Sequence, residues 1–178
     1  MNQQVWIPPR MAARFRGSCL VLGVVTVAVG VVVGFGIPLG GLLLPGRAGA
    51  MALSTVTTGV FLGLFLLVSG VTMTMARGWV TTHPQGYLLN RQKSAMALYA
   101  LGVPAGAGLF TSLIFYVTSM NRFTWSAEDA TGTVHVVTPG IAGYLCLPAV
   151  AVVLCAVNFF VGLSLFRPSP RTIQRYAR

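Results

Sequence analysis

The stretch from residue 17 to residue 37 reads GSCLVLGVVTVAVGVVVGFGI and contains no Asp, Glu, Lys, Arg or His. A water-soluble helix of this length would carry a polar stripe at a period of 3.6 residues, and this stretch has none. A helix that crosses a bilayer needs about 20 mostly apolar residues. The stretch therefore predicts a membrane-spanning helix.

Three further stretches have the same character, and charged residues make up only 8% of the chain, against about 25% in soluble domains. The four predicted spans are 17–37, 51–75, 94–120 and 140–166. We therefore predict an all-α integral membrane protein with four transmembrane helices. Residues 1–178 would form a single domain with short basic tails at both ends.

The basic residues are concentrated on one side of this arrangement. The N-terminal tail, the loop after the second span and the C-terminal tail carry ten of the twelve Lys and Arg residues and no acidic residue. The opposite loops carry Arg47 and Arg122 together with Glu128 and Asp129. Because basic loops stay on the side from which a membrane protein is inserted, both termini are predicted to lie inside.

Glycine spacing predicts how the first two spans pack. In each span three glycines fall within about 40° of one another at 100° per residue. The two stripes mirror each other about the turn at 45–47, so an antiparallel hairpin would bring matching glycines to the same depth. Small residues permit close backbone approach between helices in lipid. The predicted hairpin glycines are Gly23, Gly30, Gly34, Gly59, Gly63 and Gly70.

The third and fourth spans contain fewer packing signals. Gly102 and Gly106 flank Pro104, which predicts a kinked helix with a small-residue contact. Asn158 is the one side-chain amide clearly inside a span, and we expect it to form a hydrogen bond across helices. Free thiols are expected for the cysteines, because Cys146 and Cys155 lie on opposite faces of one helix.

The spans offer little chemistry. Ionisable residues inside a bilayer usually mark ion or proton pathways, and the predicted spans contain none. The predicted topology places His83 and His135 on opposite sides, about 30 Å apart, so they cannot share a metal or a haem. Glu128 and Asp129 accompany His135, but residues 126–129 (SAED) fit a helix capping box or a solvated loop better than a catalytic site. No catalytic, cofactor or metal site is predicted.

The loop at residues 76–93, ARGWVTTHPQGYLLNRQK, is interpreted as a basic, aromatic-flanked face. Trp and Tyr favour the headgroup level, and His83 is expected to be a polar turn residue before Pro84. Anionic phospholipid, cardiolipin for example, is the expected ligand, and nucleic acid is not expected. The residues predicted to contact lipid headgroups or a partner are Arg14, Arg16, Arg77, Trp79, Tyr87, Arg91, Lys93, Arg167 and Arg171.

By elimination, these observations favour a non-catalytic accessory subunit of a larger hetero-oligomeric membrane complex. A mitochondrial respiratory-chain complex or ATP synthase is the expected host, and the mitochondrial inner membrane is favoured over the thylakoid or bacterial plasma membrane. The proline-containing tails are expected to run extended along a partner's surface. The alternative is a small oligomeric transporter or channel, and a membrane enzyme that acts through its loops is the third class.

Overall fold

A computed structural model describes the backbone at 4–43, 48–84, 86–123, 126–129, 132–135 and 139–177. It describes side chains at 4–39, 56–84, 86–117 and 146–177. Over these residues the chain forms five α-helices. They are α1 (Pro9–Leu43), α2 (Ala48–Ala76), α3 (Arg91–Phe123), α4 (Pro139–Phe166) and α5 (Pro170–Ala177).

The first four helices contain the four predicted spans and extend beyond them. Each is long and apolar enough to cross a membrane, so the prediction of a multi-pass membrane protein is supported. Large apolar side chains face outward along them: Phe35 is 67% exposed, Phe110 63% and Phe160 66%. Soluble monomers rarely expose a large continuous apolar surface, whereas lipid chains would cover this one.

Local sequence accounts for where several helices begin. Proline is favoured at the first position of a helix, where its missing N–H costs nothing, and α1 and α5 begin at Pro9 and Pro170. Asn90 caps α3, because its side-chain oxygen accepts a hydrogen bond from the backbone N–H of Lys93 at 3.1 Å. The hydroxyl of Ser169 caps α5 in the same way through the N–H of Thr172 at 3.1 Å.

Two β-sheets depart from the all-α prediction. Strand β1 (Gln4–Ile7) pairs antiparallel with β3 (Gly86–Asn90), which also pairs antiparallel with β2 (Val80–His83), so the order is β1-β3-β2. His83 therefore ends β2 directly before Pro84 and pairs with Gly86. Gly86, which opens β3, has a φ of +144°, a conformation open chiefly to glycine.

The second sheet pairs β4 (Ser126–Asp129) with β5 (Gly132–His135). The capping-box interpretation of residues 126–129 is wrong, because this backbone is extended and paired. In a helix the backbone N–H and C=O groups form hydrogen bonds within the same segment, so they are not available to pair with another strand. The register places His135 opposite Ser126; the side chains of Glu128, Asp129 and His135 lie outside the described residues.

The chain ends are also folded differently from the expected extended tails. The N-terminal tail adds a strand to the central loop, and the C-terminal tail forms α5. Ile173 and Tyr176 lie three residues apart on α5 and pack against the buried cluster below, whereas Arg171, Gln174 and Arg175 are exposed. The extended-tail prediction is therefore wrong for the C-terminal tail, because its helix partly buries an apolar face. The N-terminal tail is extended at Gln4–Ile7, where it pairs with β3 of the same chain.

The buried apolar side chains form two clusters: an upper cluster at the end of the bundle that carries strands β1–β3, and a lower cluster within the helices. The upper cluster includes Ile7 from β1, Phe15 from α1, Leu89 from β3 and Phe166 from α4. The lower cluster joins the middle of the helices and includes Val33, Ile37, Leu62, Leu66 and Phe115. The sheet thus shares a core with the helices and closes one end of the bundle.

Helices α1 and α2 approach each other at their glycines. A Cβ atom placed on Gly63 would lie 2.8 Å from the Cα of Gly34, and one on Gly70 would lie 2.8 Å from the carbonyl oxygen of Gly23. A Cβ on Gly30 would lie 3.4 Å from the oxygen of Gly63. Real Cβ atoms do not come so close to backbone as 2.8 Å, so Gly63 and Gly70 leave no space for a side chain.

Gly102 and Gly106 of α3 have different surroundings from those of the α1/α2 glycines. A Cβ on Gly102 would lie 3.2 Å from the ring of Phe159, but one on Gly106 would meet nothing within 4 Å. At 100° per residue Gly106 lies about 150° away from the centre of the buried face of α3. The prediction that Gly106 packs against another helix of this chain is therefore wrong.

Candidate functional site: a basic cap on the helix bundle

The end of the bundle that carries both termini is closed by strands β1–β3, helix α5 and the adjoining helix ends, which together we call the basic cap. Residues distant in sequence meet there. Gln4 of β1 lies opposite Asn90 of β3, and the Arg14 side chain on α1 contacts Tyr176 on α5. The N-terminal tail, the central loop and the C-terminal tail therefore form one surface.

Arg16 ties α1 to the central sheet. Its guanidinium donates a hydrogen bond to the backbone oxygen of Val80 at 2.8 Å and lies 5.3 Å from the ring centroid of Tyr87. This geometry combines a charge-assisted hydrogen bond with a cation–π contact. Arg16 and Tyr87, both predicted to contact a partner, are thus partly engaged within the cap.

Arg14 attaches α5 to α1. It donates a hydrogen bond to the hydroxyl of Tyr176, and its guanidinium carbon lies 5.8 Å from the centroid of that ring. Arg14 nevertheless remains exposed. Because a guanidinium has five N–H donors, most of its donors are left for another group.

Aromatic side chains hold the cap down on the bundle. The Trp79 ring lies 6.0 Å from that of Phe166, which lies 5.5 Å from that of Phe15. Trp79 is only partly exposed, so it contributes to core packing as well as to the surface predicted for it. His83 is exposed and meets the Trp6 ring edge-on at 5.1 Å.

The surface of the cap is strongly positive. The two acidic side chains of the chain belong to β4, so the cap's cations have no carboxylate side chain of this chain to neutralise them. Such a surface attracts anionic groups over a distance set by the ionic strength. Among the side chains that the structure describes, the exposed basic residues of the cap are Arg10, Arg14, Arg77, Arg91, Lys93, Arg167, Arg171 and Arg175.

A buried polar cluster lies between three helices below the cap. The amide nitrogen of Asn158 on α4 donates to the hydroxyls of Thr26 on α1, at 2.8 Å, and Ser69 on α2, at 3.0 Å. All three side chains are 0% exposed. The amide oxygen has no hydrogen-bond partner within the described part of the chain. The cluster connects α4 to the α1/α2 pair.

Sequence reasoning identified Asn158 but missed its partners. A signal was present, because Thr26 and Ser69 lie at matching depth between the glycine pairs 23/70 and 30/63. It also missed Arg10, Arg175 and Tyr176. The spacing of Ile173 and Tyr176, with polar residues between them, was the available sign of an amphipathic helix.

The described residues include no group of three or more His, Cys, Asp or Glu side chains that could hold a metal ion. No family model matches the chain, and no curated protein or solved structure matches it. The class of protein that the structure supports is a four-helix multi-pass membrane protein with a basic, sheet-containing cap.

The hydrogen bonds of the buried Asn158 amide depend on the hydroxyls of Thr26 and Ser69, and this dependence can be tested. Removing both hydroxyls with Thr26→Val and Ser69→Ala leaves a buried amide unpaired, which costs about 1–3 kcal/mol. Adding Asn158→Leu removes that amide as well. We therefore expect the double variant to unfold at a lower temperature in detergent micelles than both the wild type and the triple variant.

Circular dichroism during heating measures these midpoints. Thr72→Val, on α2 outside the cluster, is the control and should unfold like the wild type. A double variant as stable as the wild type would show that the amide does not depend on these hydroxyls.

Proposed function

We propose that this protein is a non-catalytic accessory subunit that docks to a larger membrane assembly through the basic cap. The observation that carries the proposal is the cap itself: eight exposed cations among its described residues, which lie on α5 and on the helix ends around the folded sheet, without an acidic side chain among them. A flexible tail loses conformational entropy on binding, whereas a folded surface has already lost it. An acidic surface of another subunit is the partner whose charge complements the cap.

The polar groups inside the bundle support a structural role. The buried polar side chains of the described helices are hydroxyls and one amide: Thr26, Thr58, Ser69, Ser94, Ser112 and Asn158. Several of them join helices, as when the hydroxyl of Ser112 on α3 donates to the backbone oxygen of Pro148 on α4 at 3.4 Å. None is ionisable, which favours a scaffold over an ion or proton pathway.

The proposal includes a sidedness in which the cap faces the compartment from which the chain is inserted. We expect a cysteine introduced at exposed Gln92, in a variant lacking the native cysteines, to be protected from a membrane-impermeant maleimide in intact cells or organelles. A cysteine at Thr133, in the opposite hairpin, should react. Reaction at position 92 together with protection at 133 would reverse the proposed orientation.

We also propose that the α1/α2 glycines supply the adhesion between these helices in lipid, where packing replaces the hydrophobic effect. Gly63→Ala places a methyl group against the backbone of Gly34, so we expect a destabilisation of about 1–3 kcal/mol. Gly106→Ala, which meets open space, should be neutral or stabilising because alanine favours helix. Thermal unfolding in micelles measures both, and equal behaviour of the two variants would contradict the proposal.

A native gel of gently solubilised membranes tests the docking function. We expect the protein to migrate with a much larger complex, and the Arg91→Gln, Lys93→Gln, Arg171→Gln variant to lose that migration. Arg122→Gln removes a charge from the opposite side and is the control. High salt during solubilisation should release the wild-type protein in the same way, because screening weakens the contact.

Mass spectrometry of the large band would name the host. A mitochondrial respiratory-chain complex or ATP synthase remains our prediction for it. Migration alone or as a small homo-oligomer, with transport activity in proteoliposomes, would instead support the alternative of a small transporter or channel.

A further inference from the structure

A groove of about 630 Å³ lies between α1, α4 and α5 at the edge of the basic cap. Its walls change character along their length. The end near α5 presents the Arg14 guanidinium and the hydroxyls of Thr172 and Tyr176, and the other end presents Val21 and Val161. Val21 is 61% exposed on the outer face of α1. The groove therefore runs from a polar, positive end onto the apolar surface of two spans.

Helix α5 forms the outer wall of the polar end. The contact between Arg14 and Tyr176 holds this wall against α1, and the Thr172 hydroxyl is positioned by a 2.8 Å hydrogen bond to that of Ser169. Gly17 lines the groove from α1, and a Cβ placed there would meet nothing within 4 Å. The lack of a side chain at position 17 keeps the groove open.

The charge of the polar end selects the kind of group that can occupy it. Arg14 is a permanent cation, and the chain places no acidic side chain in the cap. The Tyr176 hydroxyl accepts the hydrogen bond from Arg14, which leaves its own proton free to be donated. A guanidinium beside hydroxyl donors suits a phosphate group. The apolar walls below it suit a hydrocarbon chain.

We infer that this groove binds one anionic glycerophospholipid from the leaflet on the side of the cap. The phosphate contacts Arg14 and Tyr176, and an acyl chain lies along Val21 and Val161. A second groove, beside Arg91 and Arg167, is lined by the sheet, by α5 and the segment before it, and by the cap ends of α3 and α4, at Ala95 and Phe166; its lining does not continue along those two spans. The inference uses the membrane placement that the proposed function also uses, but it does not require a host complex.

The test uses the purified full-length chain in an uncharged detergent. Added phosphatidylglycerol should raise the midpoint of thermal unfolding by roughly 5–10 °C at about 100 times its dissociation constant. Native mass spectrometry should count one retained lipid. Phosphatidylcholine, whose headgroup carries no net charge, should give a much smaller rise.

Variants of the groove residues test whether phosphatidylglycerol raises the unfolding midpoint by binding in this groove. Gly17→Leu should abolish the rise because the side chain occupies the groove, and Gly106→Leu, which faces open space on α3, should keep it. Gly17 also borders a groove beside Arg77, so Ser164→Leu, at a residue that lines the α1/α4/α5 groove and not the one beside Arg77, must give the same loss. Arg14→Gln should weaken the lipid about tenfold.

Equal rises with phosphatidylcholine would overturn the inference by showing general solvation by lipid. The same rise with glycerol phosphate alone would also overturn it, because the ligand would then be a soluble phosphate compound. A rise that persists in both Gly17→Leu and Ser164→Leu would place the lipid elsewhere. Because no partner subunit is present, these results are independent of whether the native gel supports the proposed function.

Discussion

The need to satisfy every backbone hydrogen bond inside a bilayer governs the structure. Lipid chains offer neither donors nor acceptors, so a spanning segment has to close its hydrogen bonds within itself as a helix. The helices continue through Pro38, Pro104 and Pro148, each of which removes one such bond. Many apolar side chains of the four helices face outward, and the contacts between the helices are made by buried apolar side chains together with glycines, hydroxyls and one amide.

Strands occur where this constraint is relaxed. The paired strands lie at the ends of the bundle, between or beside the apolar segments, where water or headgroups can satisfy an unpaired edge. In the basic cap the sheet is also part of the core, because Ile7 and Leu89 are buried together with Phe15 and Phe166. The cations of the cap lie on α5 and on the helix ends around this sheet. Arg16 joins the sheet to α1, and Arg14 joins α5 to α1.

Both roles proposed for the basic cap rest on one charge distribution. Cations that would keep the cap on one side of a membrane also make it complementary to acidic protein surfaces and to anionic lipid. The two ligands would use different parts of it. Arg91, Lys93 and Arg171 project from the exposed surface, whereas Arg14 stands over a groove that opens onto the apolar part of the bundle.

The amino-acid sequence alone determined the four long helices and the segregation of charge, because both depend on local composition over stretches of about 20 residues. It also identified Asn158, because an amide inside an apolar stretch is conspicuous. Only the tertiary structure decided which residues meet across long separations, such as β1 with β3, Asn158 with Thr26 and Ser69, and Arg14 with Tyr176.

The contrast between Gly63 and Gly106 shows the same difference between what the sequence determines and what only the tertiary structure decides. Both glycines belong to small-residue patterns in apolar helices, yet one meets backbone and the other meets open space. A one-dimensional pattern gives the relative angles of residues around a helix, but the neighbouring helices determine which of those angles is buried. The sequence predicted most of the basic residues of the proposed docking surface. Its folded form and the groove beside Arg14 depend on contacts between segments far apart in the chain, so they could be found only once the helices were placed together.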